Sequence, residues 1–301
     1  MDLHCLTRRQ FLGTGTTGLV GLAGVPVLLR AEEKKADRFG PFPVGVQSYT
    51  FREFDLEQCL KRTQDLGLHY IELFQGLPRK PHARSDSTPE QIEALVKICN
   101  DYRVTPVAYG VERFTKDHDK NKKLFEFGKA LGLKYLSADP EPDAFDSLDK
   151  LCDEFKIAIA IHPHGPWGKK QLHRWYSAEV ILKAIKDHHE LIGTCLDTGH
   201  LIRAAILGEK LDPAQQIRTM GKRNFGIHLK DNDNEAEKRG DPNSNVVFGK
   251  GALDVESVLK ALKEVGFKGS ISIEYESHPN DPSAEVKECL AVLEMAAKKV
   301  G

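Results

Sequence analysis

From Val44 to its C-terminus the chain alternates between short apolar runs and longer stretches in which apolar residues return every three or four positions. The short runs predict strands at Val44–Thr50, Tyr70–Phe74, Thr105–Tyr109, Tyr135–Ala138, Ile157–His162, Gly193–Asp197, Phe225–Leu229 and Ser270–Glu274. The longer stretches predict helices with recognisable starts. Asp55 precedes LEQCLKRTQD as an N-cap, Ser87 or Thr88 precedes Pro89, and Asp254 opens DVESVLKALKEVG. Eight strand–helix units in about 260 residues predict an α/β chain folded as a single-domain (β/α)8 TIM barrel. An open doubly wound sheet would call for a phosphate-binding glycine pattern after the first strand, where this chain has QSYTFREF.

Alternate residues of a barrel strand face the interior and the helix layer, so residue type by parity shows which side is which. In the eighth strand Ile271, Ile273 and Tyr275 share one side, and Ser270, Ser272, Glu274 and Glu276 the other. In the fifth, Ile157, Ile159 and Ile161 stand opposite Ala158, Ala160, His162 and His164. The polar and small sets face inward, and the same reading turns Glu72, Asp197, His228 and Lys230 inward. Active sites of such barrels form at the C-terminal strand ends. Asp197, His228 and Glu274 from three successive strands suit one divalent ion, Mn, Mg, Co or Zn, with positions left for two substrate oxygens. Each alone also reads as a cap or turn residue; their coincidence at one barrel end favours the metal.

Other residues admit two readings each. Glu72 could orient a substrate hydroxyl or pair within the barrel. Lys230 could polarise a substrate oxygen or lie on the surface. Glu276 could be a base or a solvent-exposed loop acid. Trp167, Trp175 and Tyr176 could stack on a ligand face or pack onto the rim. The charged segment KDNDNEAEKRGDPNSNVVFGKG reads as a lid or as locally disordered.

Charge narrows the partners. Lys+Arg number 43 against Asp+Glu 44, with no polybasic run, so a nucleic-acid partner is not expected. Residues 1–31 are of another kind: Arg8 and Arg9 precede a mild, Gly-rich apolar run, the pattern of a twin-arginine export signal. A linker is expected over 32–43 and the barrel over 44–301, with a periplasmic destination and membrane attachment only through an uncleaved leader. Beyond Cys5 in the leader, Cys59, Cys99, Cys152, Cys195 and Cys289 fall singly inside apolar patterns, which predicts buried free thiols rather than a disulfide framework.

The ordered motifs LDTGH, IHLKD, VFGKGALD and SISIEYE resemble those of the xylose isomerase-like TIM barrels, the sugar isomerase/epimerase superfamily. The resemblance spans Val44 to Gly301. It implies one divalent metal held by Glu, Asp, His and Glu at four successive strand ends, with Asp197, His228 and Glu274 in the last three places. His162 stands where the first Glu is expected, and His200 matches a histidine that approaches substrate hydroxyls. The implied reaction begins with proton abstraction beside a metal-chelated carbonyl, through an ene-diolate. Reprotonation gives an isomer or epimer, with Glu274, His162 and Glu276 as candidate bases; expulsion of a β-oxygen gives a dehydratase or lyase, which the His162 departure supports modestly. His164, His200, Lys230, Glu72 and Trp167 are the expected substrate contacts, and a small sugar is the expected partner, with a homo-oligomer left open. An endonuclease IV-like nuclease fits neither the charge nor the leader; a sugar-binding barrel without catalysis remains the alternative from another class.

Overall fold

The computed structural model describes residues 38–166 and 170–301; the export-signal segment, half of the expected linker, and Trp167 lie outside the described residues. Eight parallel strands close into a barrel: β1 Val44–Gln47, β2 Tyr70–Leu73, β3 Thr105–Phe114, β4 Tyr135–Pro140, β5 Ala158–Ile161, β6 Ile192–Asp197, β7 Asn224–Leu229 and β8 Ser270–Ile273. Each strand pairs with its neighbours in sequence, and β8 closes the ring on β1. The outer layer includes α1 Leu56–Asp65, α2 Pro89–Asp101, α3 His118–Ala130, α4 Phe145–Phe155, α5 Ala178–Ile185, α6 Thr198–Arg203 and α7 Pro213–Met220. Then come α8 Asn234–Arg239, α9 Val255–Glu264 and α10 Ser283–Val300.

Local sequence sets these elements. Asp55 and Gln58 form a reciprocal capping box on α1, as Thr88 and Gln91 do on α2, where Thr88 rather than Ser87 is the cap. Ile157, Ile159, Ile161, Ile271 and Ile273 join the core between strands and helices, whereas Ala158, Ala160 and Cys195 pack with Tyr135 inside the barrel. The parity reading therefore holds on both strands. Tyr135 fills much of the interior, and Gly226 makes room for it: a Cβ there would lie 2.4 Å from the Tyr135 hydroxyl.

Three expectations change. β1 stops at Gln47, and Ser48–Phe51 turn into a 3-10 segment because Gln47 accepts a hydrogen bond from the Tyr49 N–H. β3 runs on to Phe114, with a register shift against β4 between Tyr109 and Glu112. The charged segment after β7 carries its own secondary structure, which departs from the locally disordered alternative. Asp231–Asn232 pair with Asn245–Val246 around α8, and the Asp231 carboxylate accepts from the N–H groups of Gly249, Gly251, Ala252 and Leu253 at 2.8–3.0 Å. Within the stretch read as linker, Phe39 and Phe42 are buried in the core and Arg38 pairs with Glu294 at 2.6 Å. Cys59, Cys99, Cys152, Cys195 and Cys289 are free and buried, as their apolar settings predict.

Candidate active site

Register brings the polar strand ends together. Asp197 is level with His228 across β6 and β7, Ser272 is level with His228 across β7 and β8, and Glu274 follows two residues later. His162 continues β5, its N–H donating to the Ala138 carbonyl at 2.8 Å. One ligand atom each from His162, Asp197, His228 and Glu274 fall within 4.8 Å of one another. His162 Nε2 is 2.9 Å from His228 Nδ1 and 3.5 Å from Asp197 Oδ2, and His228 Nδ1 is 3.3 Å from Glu274 Oε2.

This donor set fits a divalent cation. Two imidazole nitrogens face each other, and Asp197 Oδ2 and Glu274 Oε2, both buried, accept no well-formed hydrogen bond. Those oxygens depend instead on the Lys230 ammonium, at 3.1 and 2.6 Å. Asp197 combines the two roles read for it: Oδ1 caps α6 by accepting from the His200 N–H at 2.7 Å, and Oδ2 points into the ligand set. Burial would raise the Asp197 pKa, but Lys230 and His162 outweigh it and hold the carboxyl well below the usual range.

Above the ligands opens a cavity of about 350 Å3, lined by His162, His164, His200, Glu274 and Glu276 on one side and by Gln47, Tyr49, Phe74, Gln75 and Glu112 on the other. His164 and His200 thus stand where substrate contacts were expected. Burial, with His162 and His173 nearby, pushes His164 down to about 3. Burial and the Lys230 charge likewise push His200 well below its ordinary value. Both are neutral near pH 7. The Arg203 guanidinium donates to His200 Nδ1 at 3.2 Å, which leaves Nε2–H as the donor of that ring. Arg203 also bonds Glu237 of α8 at 2.9 Å, tying the long loop to the site.

Two expected substrate contacts sit elsewhere. Lys230 is 1% exposed and lies beneath the cavity, its stem against Gly199 and its ammonium 2.5 Å from Glu276 Oε1. Glu72 has no exposed surface, and it pairs within the barrel. Burial would raise its pKa, but His228 and the hydroxyls of Ser137 and Ser272 outweigh that and hold it below the usual range. Trp175 packs on the rim, its Nε1–H donating to the Pro140 carbonyl at 2.9 Å. Gln47, Tyr49, Phe74 and Gln75 were not singled out in the sequence; the available signal was their place at the C-terminal ends of β1 and β2.

A closed eight-stranded parallel barrel with a carboxylate–imidazole cluster at its C-terminal mouth is a TIM barrel carrying its candidate site where such barrels carry their chemistry. The chain belongs to the xylose isomerase-like TIM barrel family, whose model matches residues 60–295. It is 22% identical over 260 residues to an inosose isomerase of Bacillus velezensis, covering 76% of this chain and 86% of that one. A solved structure of an uncharacterised protein from Parabacteroides distasonis is 27% identical with a TM-score of 0.64, over 85% of this chain and 99% of that one. The structure of an L-ribulose 3-epimerase shares the fold at 15% identity and a TM-score of 0.63, covering 85% and 95%.

Proposed function

We propose that this protein is a divalent-metal-dependent isomerase or epimerase of a neutral sugar or inosose. The observation that carries the reading is the convergence of His162, Asp197, His228 and Glu274 directly beneath the mouth cavity. A divalent ion held by these four residues would polarise a carbonyl oxygen and acidify the neighbouring C–H. The protein supplies the rest. Glu274 and Glu276 extend from β8, and His162 from β5, three places apart around an eight-strand ring, so proton acceptors approach the cavity from different sides. His200, with Nε2–H free to donate, is placed to hold a substrate hydroxyl or carbonyl. Among the described residues the lining includes three glutamates and no lysine or arginine, which disfavours a phosphate or carboxylate substrate.

A second reading, a keto-sugar or inosose dehydratase or lyase, rests on His162. Where the family carries a glutamate this chain offers an imidazole, which after accepting a proton can pass it to a departing oxygen. The test is NMR product analysis in D₂O, using Mn²⁺-loaded protein with a panel of ketoses, 3-keto-glycosides and inososes. Deuterium incorporation without elimination supports the isomerase; loss of water or aglycone supports the lyase; neither, across the panel, removes both and leaves a sugar-binding role.

The N-terminal pattern around Arg8 and Arg9 supports export through the twin-arginine route. Replacing both by lysine should leave the protein in the cytoplasm, and unchanged periplasmic recovery would refute the assignment. Among the described residues no helix is long and apolar enough to cross a membrane.

A further inference from the structure

Glu72 poses a physical question that neither substrate binding nor packing answers. A carboxylate with no solvent exposure, in the middle of a barrel, costs several kcal/mol of desolvation, and an apolar side chain would fill the space without that cost. The surroundings are nevertheless built for the charged form. Ser137 Oγ donates to Oε1 at 2.5 Å, and Ser272 Oγ and the Tyr135 hydroxyl donate to Oε2 at 3.0 and 3.3 Å. Tyr135 is itself held by Ser270 at 3.0 Å. Cys195 and His228 are the remaining neighbours, and His228 Nε2 lies 2.9 Å from Oε2, an ion-pair contact whose angle falls short of a well-formed hydrogen bond.

We infer that Glu72 is a positioning residue, fixing His228 so that Nε2 carries the proton and Nδ1 presents its lone pair to Asp197, Glu274 and His162. This deepens the metal-site reading above and rests on it for its consequence, though not for its geometry. A neutral imidazole has one N–H and one lone pair, so a carboxylate that claims the N–H at one end of the ring decides what the other end offers. It also makes the outward nitrogen a better ligand, as a carboxylate behind a metal-binding histidine does generally. The three hydroxyls keep the carboxylate oriented, and strands β4 and β8 supply them, so the alignment of His228 depends on the register of strands to which it does not belong.

The full-length protein tests this with Mn²⁺ as the probe. In wild type, ¹⁵N NMR of the histidine rings should show His228 protonated on Nε2. Glu72→Gln should lower Mn²⁺ affinity by about 10–100-fold with the distribution of His228 tautomers altered. Ser272→Ala leaves the carboxylate charge in place and should lower affinity by about fivefold, which keeps the test alive if Glu72→Gln does not fold. Wild-type Mn²⁺ affinity in a folded Glu72→Gln protein, or a neutral His228 ring protonated on Nδ1 alone in wild type, overturns the inference. If wild type shows the Nε2–H tautomer but binds no Mn²⁺, the positioning role stands and the metal-site reading falls.

Discussion

The ammonium of Lys230 lies 2.6 Å from Oε2 of Glu274, the oxygen that also faces the metal-ligand set. Asp197 and Glu276 complete a ring of three carboxylates around it, at 3.1 and 2.5 Å. Burial alone would favour the neutral amine, but the three carboxylates outweigh it and keep Lys230 charged. Lys230 thus offsets the repulsion that these acids would otherwise exert on each other. Replacing it by methionine leaves buried charge without a counterion, and breaking such pairs costs about 3 kcal/mol or more. Thermal unfolding of metal-free Lys230→Met should therefore fall by roughly 6–12 °C, and Mn²⁺ should recover part of the loss. An unchanged midpoint would show that the lysine does not act as the counterion.

Metal itself should stabilise the native protein. At a hundredfold excess over its dissociation constant a ligand specific for the folded state adds about 2.7 kcal/mol, and chelation should remove that increment. Asp197→Ala and His228→Ala should abolish both the bound metal and the thermal shift. If either variant retains full metal occupancy by elemental analysis, the four-residue centre is wrongly drawn.

His162 separates ligand from base. His162→Ala should weaken metal binding, whereas His162→Glu restores a carboxylate at the fifth strand end and should keep the metal. The glutamate variant should also favour solvent exchange over elimination, measured as the ratio of deuterated to eliminated product. The same product ratio in both proteins would mean that this position does not set the outcome.

His164 and His200 touch the cavity without belonging to the four-residue ligand set. His164→Gln and His200→Gln should lower kcat/KM by about tenfold, as for a lost hydrogen bond to substrate, with metal content unchanged. A parallel loss of metal would instead make them ligands, consistent with their clustering beside His162.

Much of this was legible before any coordinates, because a strand with one crowded and one chemically distinct face declares its orientation. Ile157, Ile159 and Ile161 against Ala158, Ala160 and His162 is such a strand, and Ser270 to Glu276 is another. Asp197 was harder to read, since the same residue serves as a helix cap with one oxygen and faces the ligand set with the other. Lys230 and Glu72 were placed on the correct face, but parity does not report depth, and both lie deeper than a substrate reaches. The order of the loop after β7 was hidden because its organiser, Asp231, acts through backbone N–H groups, and only Gly251, where a Cβ would lie 2.4 Å from the carboxylate, marks the site in the sequence. Gln47 and Tyr49 escaped notice because β1 ends in a turn whose polar side chains resemble ordinary capping chemistry.

The barrel interior below the cavity holds Glu72, Ser137, Ser270 and Ser272, all buried, alongside the Tyr135 hydroxyl. Thermal hardening by filling this interior with aliphatic side chains would dismantle the scaffold behind His228, so stabilising changes should be sought in the outer helix layer. Variation at the mouth faces no such restriction at Phe74 or Gln75, which line the cavity from the end of β2 and the loop beyond it. Directed evolution toward a new sugar has the better prospect there, where a residue can change without altering the hydrogen bonds that align His228.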